Sequence, residues 1–162
     1  MNSSRRRLVL FIPLAVLTAI VWLFAQQLAA PKVQGYIESP LIGKPLPYLG
    51  IDLPPPPFII NVFASWCAPC AIEHAPLMDM QKQGVKIVGI AFKDSRKNID
   101  EWLKKRGNPY VSVQHDKGQA LTLGITGVPE SFAVDKDGIV RMRFQGPLEE
   151  PQTIKDFLQV MQ

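Results

Sequence analysis

Both cysteines of the chain lie in one short run, Trp66-Cys67-Ala68-Pro69-Cys70, immediately downstream of Phe58-Ile59-Ile60-Asn61-Val62-Phe63. That stretch is nearly continuous in apolar residues and is bounded by prolines before it and Ala64-Ser65 after it, which suits a buried central strand. A helical stretch to about Lys82 follows, so the cysteines fall where a buried strand turns into a helix. Cys67 is expected in the first helical turn, beside free backbone N–H groups and the positive end of the helix dipole, where thiolate is favoured over thiol. One turn on, Cys70 comes within disulfide reach and can resolve a mixed disulfide formed at Cys67. Pro69 suits the opening turn, because the N–H it lacks would have had no intrahelical acceptor.

Other uses of the pair are poor fits. A bond between cysteines this close closes too short a loop to restrain the unfolded chain much. A tetrahedral zinc site wants four ligands, and only His74 and His115 could be added. Ala71 stands where haem attachment would require a histidine. The expectation is therefore no metal and no cofactor other than the redox-active cysteine pair. Nucleic acid is also set aside. The formal charge of +4 owes most to Arg5, Arg6 and Arg7, and the chain beyond residue 31 holds 15 basic against 14 acidic side chains.

Three segments precede the strand. Residues 1–7 form a basic tail. From Leu8 to Ala25 there is no charge and no polar face, and with the following residues an apolar stretch over 8–28 approaches the roughly 20 residues that cross a bilayer. The arginines place the amino terminus in the cytoplasm and everything after Lys32 outside. A cleaved signal peptide ending near Leu28-Ala29-Ala30 is the competing reading; the apolar run exceeds the roughly 7 to 15 residues of a signal core, so a transmembrane anchor is expected. Residues 29–57 are dense in proline and glycine and read as a linker wrapping onto a domain that spans 58–162.

Within that domain, Val85 to Phe92 is a second buried-strand pattern. Ile99, Trp102 and Leu103 define a helix over Ser95–Arg106, capped by Ser95 or Asp94 and stopped by Gly107. Tyr110–Val113 is a strand candidate and Gly118–Leu123 a short helix. Asp137-Gly138 turns a hairpin between Ser131–Val134 and Ile139–Phe144. Ile154, Phe157, Leu158 and Met161 stripe a closing helix. The order predicts an α/β fold, a central mixed sheet flanked by helices on both faces.

These landmarks carry a resemblance. Asn61 through Cys70, Glu73-His74, Lys93-Asp94, Gly107-Asn108-Pro109-Tyr110 and Gly127-Val128-Pro129-Glu130-Ser131-Phe132 resemble the thioredoxin fold, and specifically the CcmG (DsbE) reductases of cytochrome c maturation. The resemblance implies a cis Val128-Pro129 bond facing the cysteines, with neighbouring backbone able to pair with an extended substrate. It implies that Glu73 and Glu130 serve the site. Asn61 stands where the wider family has a buried aspartate, so either Glu73 or Glu130 is the candidate proton acceptor for Cys70; the alternative for Glu73 is a solvated helix acid. Trp66 is expected to shield the pair, and His74 to be an exposed helix residue. The tract before Asn61 is shorter than usual in the family, and Ser131 replaces a commoner threonine. The implied activity is reduction of apocytochrome c, or of a partner thiol protein of its maturation. Electrons would come from a membrane donor of the DsbD/CcdA type, and a single-pass inner-membrane protein would present its catalytic domain to the periplasm. The rival functions are another exported reductase or oxidant, and a non-enzymatic apocytochrome chaperone.

Overall fold

The computed structural model describes residues 12–13, 15–24 and 35–162. Residues 12–13 and 15–24 are helical and exposed. Among the described residues, no helix is long and apolar enough to cross a membrane. The rest of the expected anchor over 8–28, the basic tail and the first residues of the linker lie outside the described residues.

Gly35–Gln162 forms a compact unit. Six strands, β1 (Gly35–Tyr36), β2 (Phe58–Phe63), β3 (Ile87–Ala91), β4 (Ser112–His115), β5 (Glu130–Val134) and β6 (Val140–Gln145), make one sheet in the order β1-β6-β5-β2-β3-β4. β2, β3 and β4 run parallel, whereas β5 is antiparallel to both β2 and β6, so the sheet is mixed as expected. Four helices accompany it: α1 (Ala68–Lys82), α2 (Arg96–Arg106), α3 (Gln119–Thr122) and α4 (Pro151–Val160).

Strand alternation sorts the core into two layers. Ile59, Phe63, Ile87 and Ala91 face α1, α2 and α4 in one cluster; Phe58, Ile60, Val62, Val88 and Ile90 face the other way. The second face carries less helix than expected. Only the one-turn α3, through Leu123, contributes helix-associated cover there, and most of the packing comes from Leu41, Leu46, Leu49, Ile51 and Leu53. The proline-rich tract is thus not a linker from residue 35 onward. Its leucines and isoleucine bury apolar area, β1 pairs with β6, and Pro45 bridges Ile139, so the folded unit begins 23 residues before the boundary expected at Phe58.

Local rules account for the elements that match. Ser95 caps α2 by accepting the Asn98 N–H at 3.1 Å, and Gly107 closes it with φ of 93°. β4 starts at Ser112 rather than Tyr110, because Asn108 Oδ1 accepts the Tyr110 N–H at 3.0 Å and turns the chain before the ladder begins. Freed from the strand, the Tyr110 ring stacks on Phe63 with centroids 4.6 Å apart. Gly89 lies beneath that stack; a Cβ there would come within 2.9 Å of both rings.

Candidate active site

β2 delivers the chain to the end of the sheet where α1 begins. Cys67 is the N-cap of α1, with extended backbone at φ −88° and ψ 111°, rather than a residue of its first turn. Cys67 and Cys70 form a disulfide with Cα atoms 5.3 Å apart, and the Cys70 N–H donates to Cys67 Sγ at 3.2 Å. The amide of an N-cap motif therefore points at the sulfur, and in the reduced state it would stabilise a thiolate there. Cys67 is 5% exposed and Cys70 1%, which leaves Cys67 as the sulfur an incoming partner reaches first.

The loop after β3 braces this corner. Asp94 Oδ2 accepts the Ser65 N–H at 2.7 Å, and the Lys93 carbonyl accepts the Trp66 indole N–H at 3.2 Å. Partial burial pushes the Asp94 carboxyl up, but hydrogen bonds from Ser65, Ser95 and Asn98 outweigh it and hold the group below its usual range. Trp66 is 58% exposed, an apolar surface beside the dithiol that remains open to solvent.

Glu73 follows Cys70 on the buried stripe of α1, with His74, Leu77 and Met80. It is wholly buried, so the solvated-acid alternative is excluded. Its Oε1 accepts from Asn61 Nδ2 at 2.8 Å and its Oε2 from the Leu148 N–H at 3.0 Å. Asn61 in turn donates to Ser131 Oγ and accepts the Tyr110 hydroxyl proton at 2.8 Å. Burial raises the Glu73 carboxyl to about 7, with the Leu148 and Asn61 donors opposing the shift. The Tyr110 hydroxyl is pushed well above its usual range by burial and then by the Glu73 charge. His74, expected exposed, is buried: Nε2 lies 3.3 Å from the Arg106 carbonyl, and the ring meets Trp102 edge-on at 4.6 Å. Burial lowers its pKa.

Glu130 opens β5, opposite Val62 in register, and so faces the other side of the sheet. Its Oε2 accepts from Arg143 Nε at 3.0 Å and Nη2 at 2.7 Å. Its Oε1 accepts from the Thr126 N–H, the Thr126 hydroxyl and the Gly127 N–H at 3.0, 2.7 and 3.2 Å. Val128-Pro129 is cis and precedes β5 at the same end of the sheet as the cysteines, and Val128 packs against the cluster that contains both sulfurs.

The fold thus brings Cys67, Cys70, Glu73, Trp66 and Val128-Pro129 to one end of the sheet and sets Glu130 on its far face. Sequence reasoning missed Arg143, the Tyr110 hydroxyl and the Leu148 amide. Arg143 carries a weak signal, a cation between Met142 and Phe144 in an otherwise strand-like run. Among the described residues, no group of three or more His, Cys, Asp or Glu side chains could hold a metal ion.

Comparison with known proteins places the fold and the family. The Redoxin family profile matches residues 54–161. The thiol:disulfide interchange protein DsbE of Vibrio cholerae is 38% identical over 156 residues, covering 85% of each chain. Its Escherichia coli counterpart is 37% identical over 163 residues, covering 88% of each. Among solved structures, a thiol:disulfide interchange protein of the thioredoxin family from Chlorobium tepidum superposes with a TM-score of 0.55 at 29% identity, covering 64% of this chain and 76% of that one. A thio-disulfide isomerase from Thermus thermophilus, at 23% identity and the same TM-score of 0.55 over 65% and 78%, shares the fold. The chain has the thioredoxin-like α/β architecture.

Proposed function

The chain belongs to the DsbE family of thiol:disulfide interchange proteins and is a protein-disulfide oxidoreductase, and from that footing we propose that it works as a reductase of apocytochrome c, or of a thiol protein that hands apocytochrome on. The observation that carries the direction is the placement of Glu73, a buried carboxyl three residues after Cys70 on the same stripe of α1, with its pKa raised to about 7. A nearby carboxylate, when ionised, disfavours thiolate at the pair, which destabilises the reduced form and shifts the couple toward reducing power, against the opposite pull of the Cys70 amide on Cys67 Sγ.

In the reduced enzyme the Cys67 thiolate attacks one sulfur of the substrate disulfide, forming a mixed disulfide and expelling the other substrate sulfur as thiolate, which takes a proton. Cys70 then gives its proton to the Glu73 carboxylate and attacks Cys67 Sγ. The Cys67–substrate bond breaks, the second substrate sulfur leaves and is protonated, and two electrons have passed from the dithiol to the substrate. The Cys67–Cys70 disulfide that remains is the state seen in the structure. Burial is what lets Glu73 alternate between acid and base near neutrality, because a carboxyl held near its working pH exchanges a proton most readily. Trp66 and the backbone beside Val128-Pro129 supply the surface on which the substrate lies.

The same reading includes the setting. The apolar stretch over 8–28 anchors the chain in the inner membrane, the domain works on the periplasmic side, and a membrane donor of the DsbD/CcdA type returns the electrons. Reduction in that compartment requires such a supply, since it is kept oxidising.

Trapping tests the proposal. Cys70→Ala should leave Cys67 joined to its natural substrate, and a haem-binding Cys-x-x-Cys-His polypeptide should be recovered from the adduct. Recovery of no disulfide-linked partner from exporting cells would defeat it. A reduction potential above about −150 mV would instead favour an oxidant, since strong oxidants lie near −120 mV.

A further inference from the structure

The loop that leads into cis Pro129 is gripped from β6. Arg143 Nη2 donates to the Gly124 carbonyl at 2.6 Å while the same guanidinium holds Glu130 Oε2. Glu130 passes the grip on through Oε1 to Thr126 and Gly127. Two residues along β6, Gln145 Nε2 donates to the Thr126 hydroxyl at 3.0 Å, and the Gly146 N–H donates to the Pro129 carbonyl at 2.9 Å. The contacts converge on residues 124–129, whose last two precede the strand residue paired with Val62, five positions upstream of Cys67.

Stability alone does not explain the pair. The Arg143 and Glu130 side chains are 5% and 0% exposed, and a buried ion pair adds little over apolar packing of the same volume. Nor does Glu130 face the dithiol. Five donors occupy its two oxygens, two of them from a guanidinium, and it lies on the face of the sheet away from Glu73. What the pair does have is geometric output, because a forked guanidinium fixes the carboxylate and the carboxylate fixes two consecutive backbone amides.

We infer that Arg143 is a positioning residue for exchange with polypeptide disulfides: acting through Glu130 and Thr126, it holds the Val128-Pro129 backbone where an extended substrate docks, and neither it nor Glu130 handles the proton of Cys70. The inference rests on the reading of the chain as an enzyme for protein disulfides.

The test compares two oxidants of the reduced full-length chain: a disulfide-closed Cys-x-x-Cys-His peptide, which needs the docking backbone, and dithiobis(nitrobenzoate), which needs only the thiolate. Arg143→Gln should slow the peptide reaction about tenfold, through KM more than kcat, as displaced docking geometry does. Arg143→Lys should recover part of the loss, since an ammonium keeps the charge but not the fork. Thr126→Val, which leaves both buried charges in place, should give a smaller loss of about threefold. For all three, the aromatic disulfide should react within about twofold of the parent rate, and the pH midpoint of Cys67 alkylation should stay put. Equal slowing with both oxidants, or a moved midpoint, would show that the pair acts on the dithiol and overturn the inference. Unchanged peptide kinetics would overturn it too. If Arg143→Gln does not fold, Thr126→Val decides alone. A parent protein that reacts with the aromatic disulfide but not with the peptide would instead sink the functional reading.

Discussion

Two carboxylates lie buried on opposite faces of the same sheet, and the groups around them make them different chemical objects. Glu73 has only neutral donors, the Asn61 amide and the Leu148 N–H, and its pKa is raised to about 7. Glu130 meets a guanidinium and three further donors. Burial alone does not make an acid–base group. An uncompensated carboxyl keeps its proton near neutrality and can trade it, whereas a paired one becomes a fixed part of the frame.

The sharpest way to break this contrast is to remove the cation. Arg143→Met should cost about 3 to 5 kcal/mol in urea unfolding, because Glu130 is left charged and unpaired in the interior. Adding Glu130→Gln should return most of that loss. A single variant as stable as the parent would mean that Glu130 tolerates isolation as Glu73 does, and the distinction would fail.

The second measurement is pH dependence. The folded state binds the Glu73 proton more tightly than the unfolded chain does, so this group's contribution to stability is fully present below pH 4.5 and is lost as pH rises through about 7. The loss amounts to about 3 kcal/mol. Urea titrations from pH 4.5 to 8 should show it in the parent and not in Glu73→Gln. The smallest effect belongs to Tyr110→Phe. It removes the donor to Asn61 Oδ1 and should cost about 1 kcal/mol while leaving Cys67 reactive.

Much of the site follows from local rules, and the exceptions share a cause. The six residues of β2, the Ser95 cap, the Gly107 stop and the Asp137-Gly138 hairpin are decided by neighbours in sequence, and all formed where expected. The burial of Glu73 was half visible, since Cys70, Glu73, His74 and Leu77 repeat at i, i+3, i+4 and i+7. The same spacing should have moved His74 to the inside. The partner of Glu130 could not be read locally. Arg143 reaches it only through the pairing of β5 with β6, and nothing within a few residues of Glu130 announces a cation. The tract over 35–57 departs from the linker pattern for a related reason. Prolines rule out regular structure but not burial, and Leu41, Leu46, Leu49, Ile51 and Leu53 cover a sheet face without forming an element.

The Leu148 amide donates to Glu73 across 75 positions of sequence, from the connection between β6 and α4. Its proton resonance is therefore a built-in indicator of the carboxyl's ionisation. Followed by nuclear magnetic resonance through a redox titration, that one backbone signal would report when the proton arrives and leaves, with both sulfurs unlabelled.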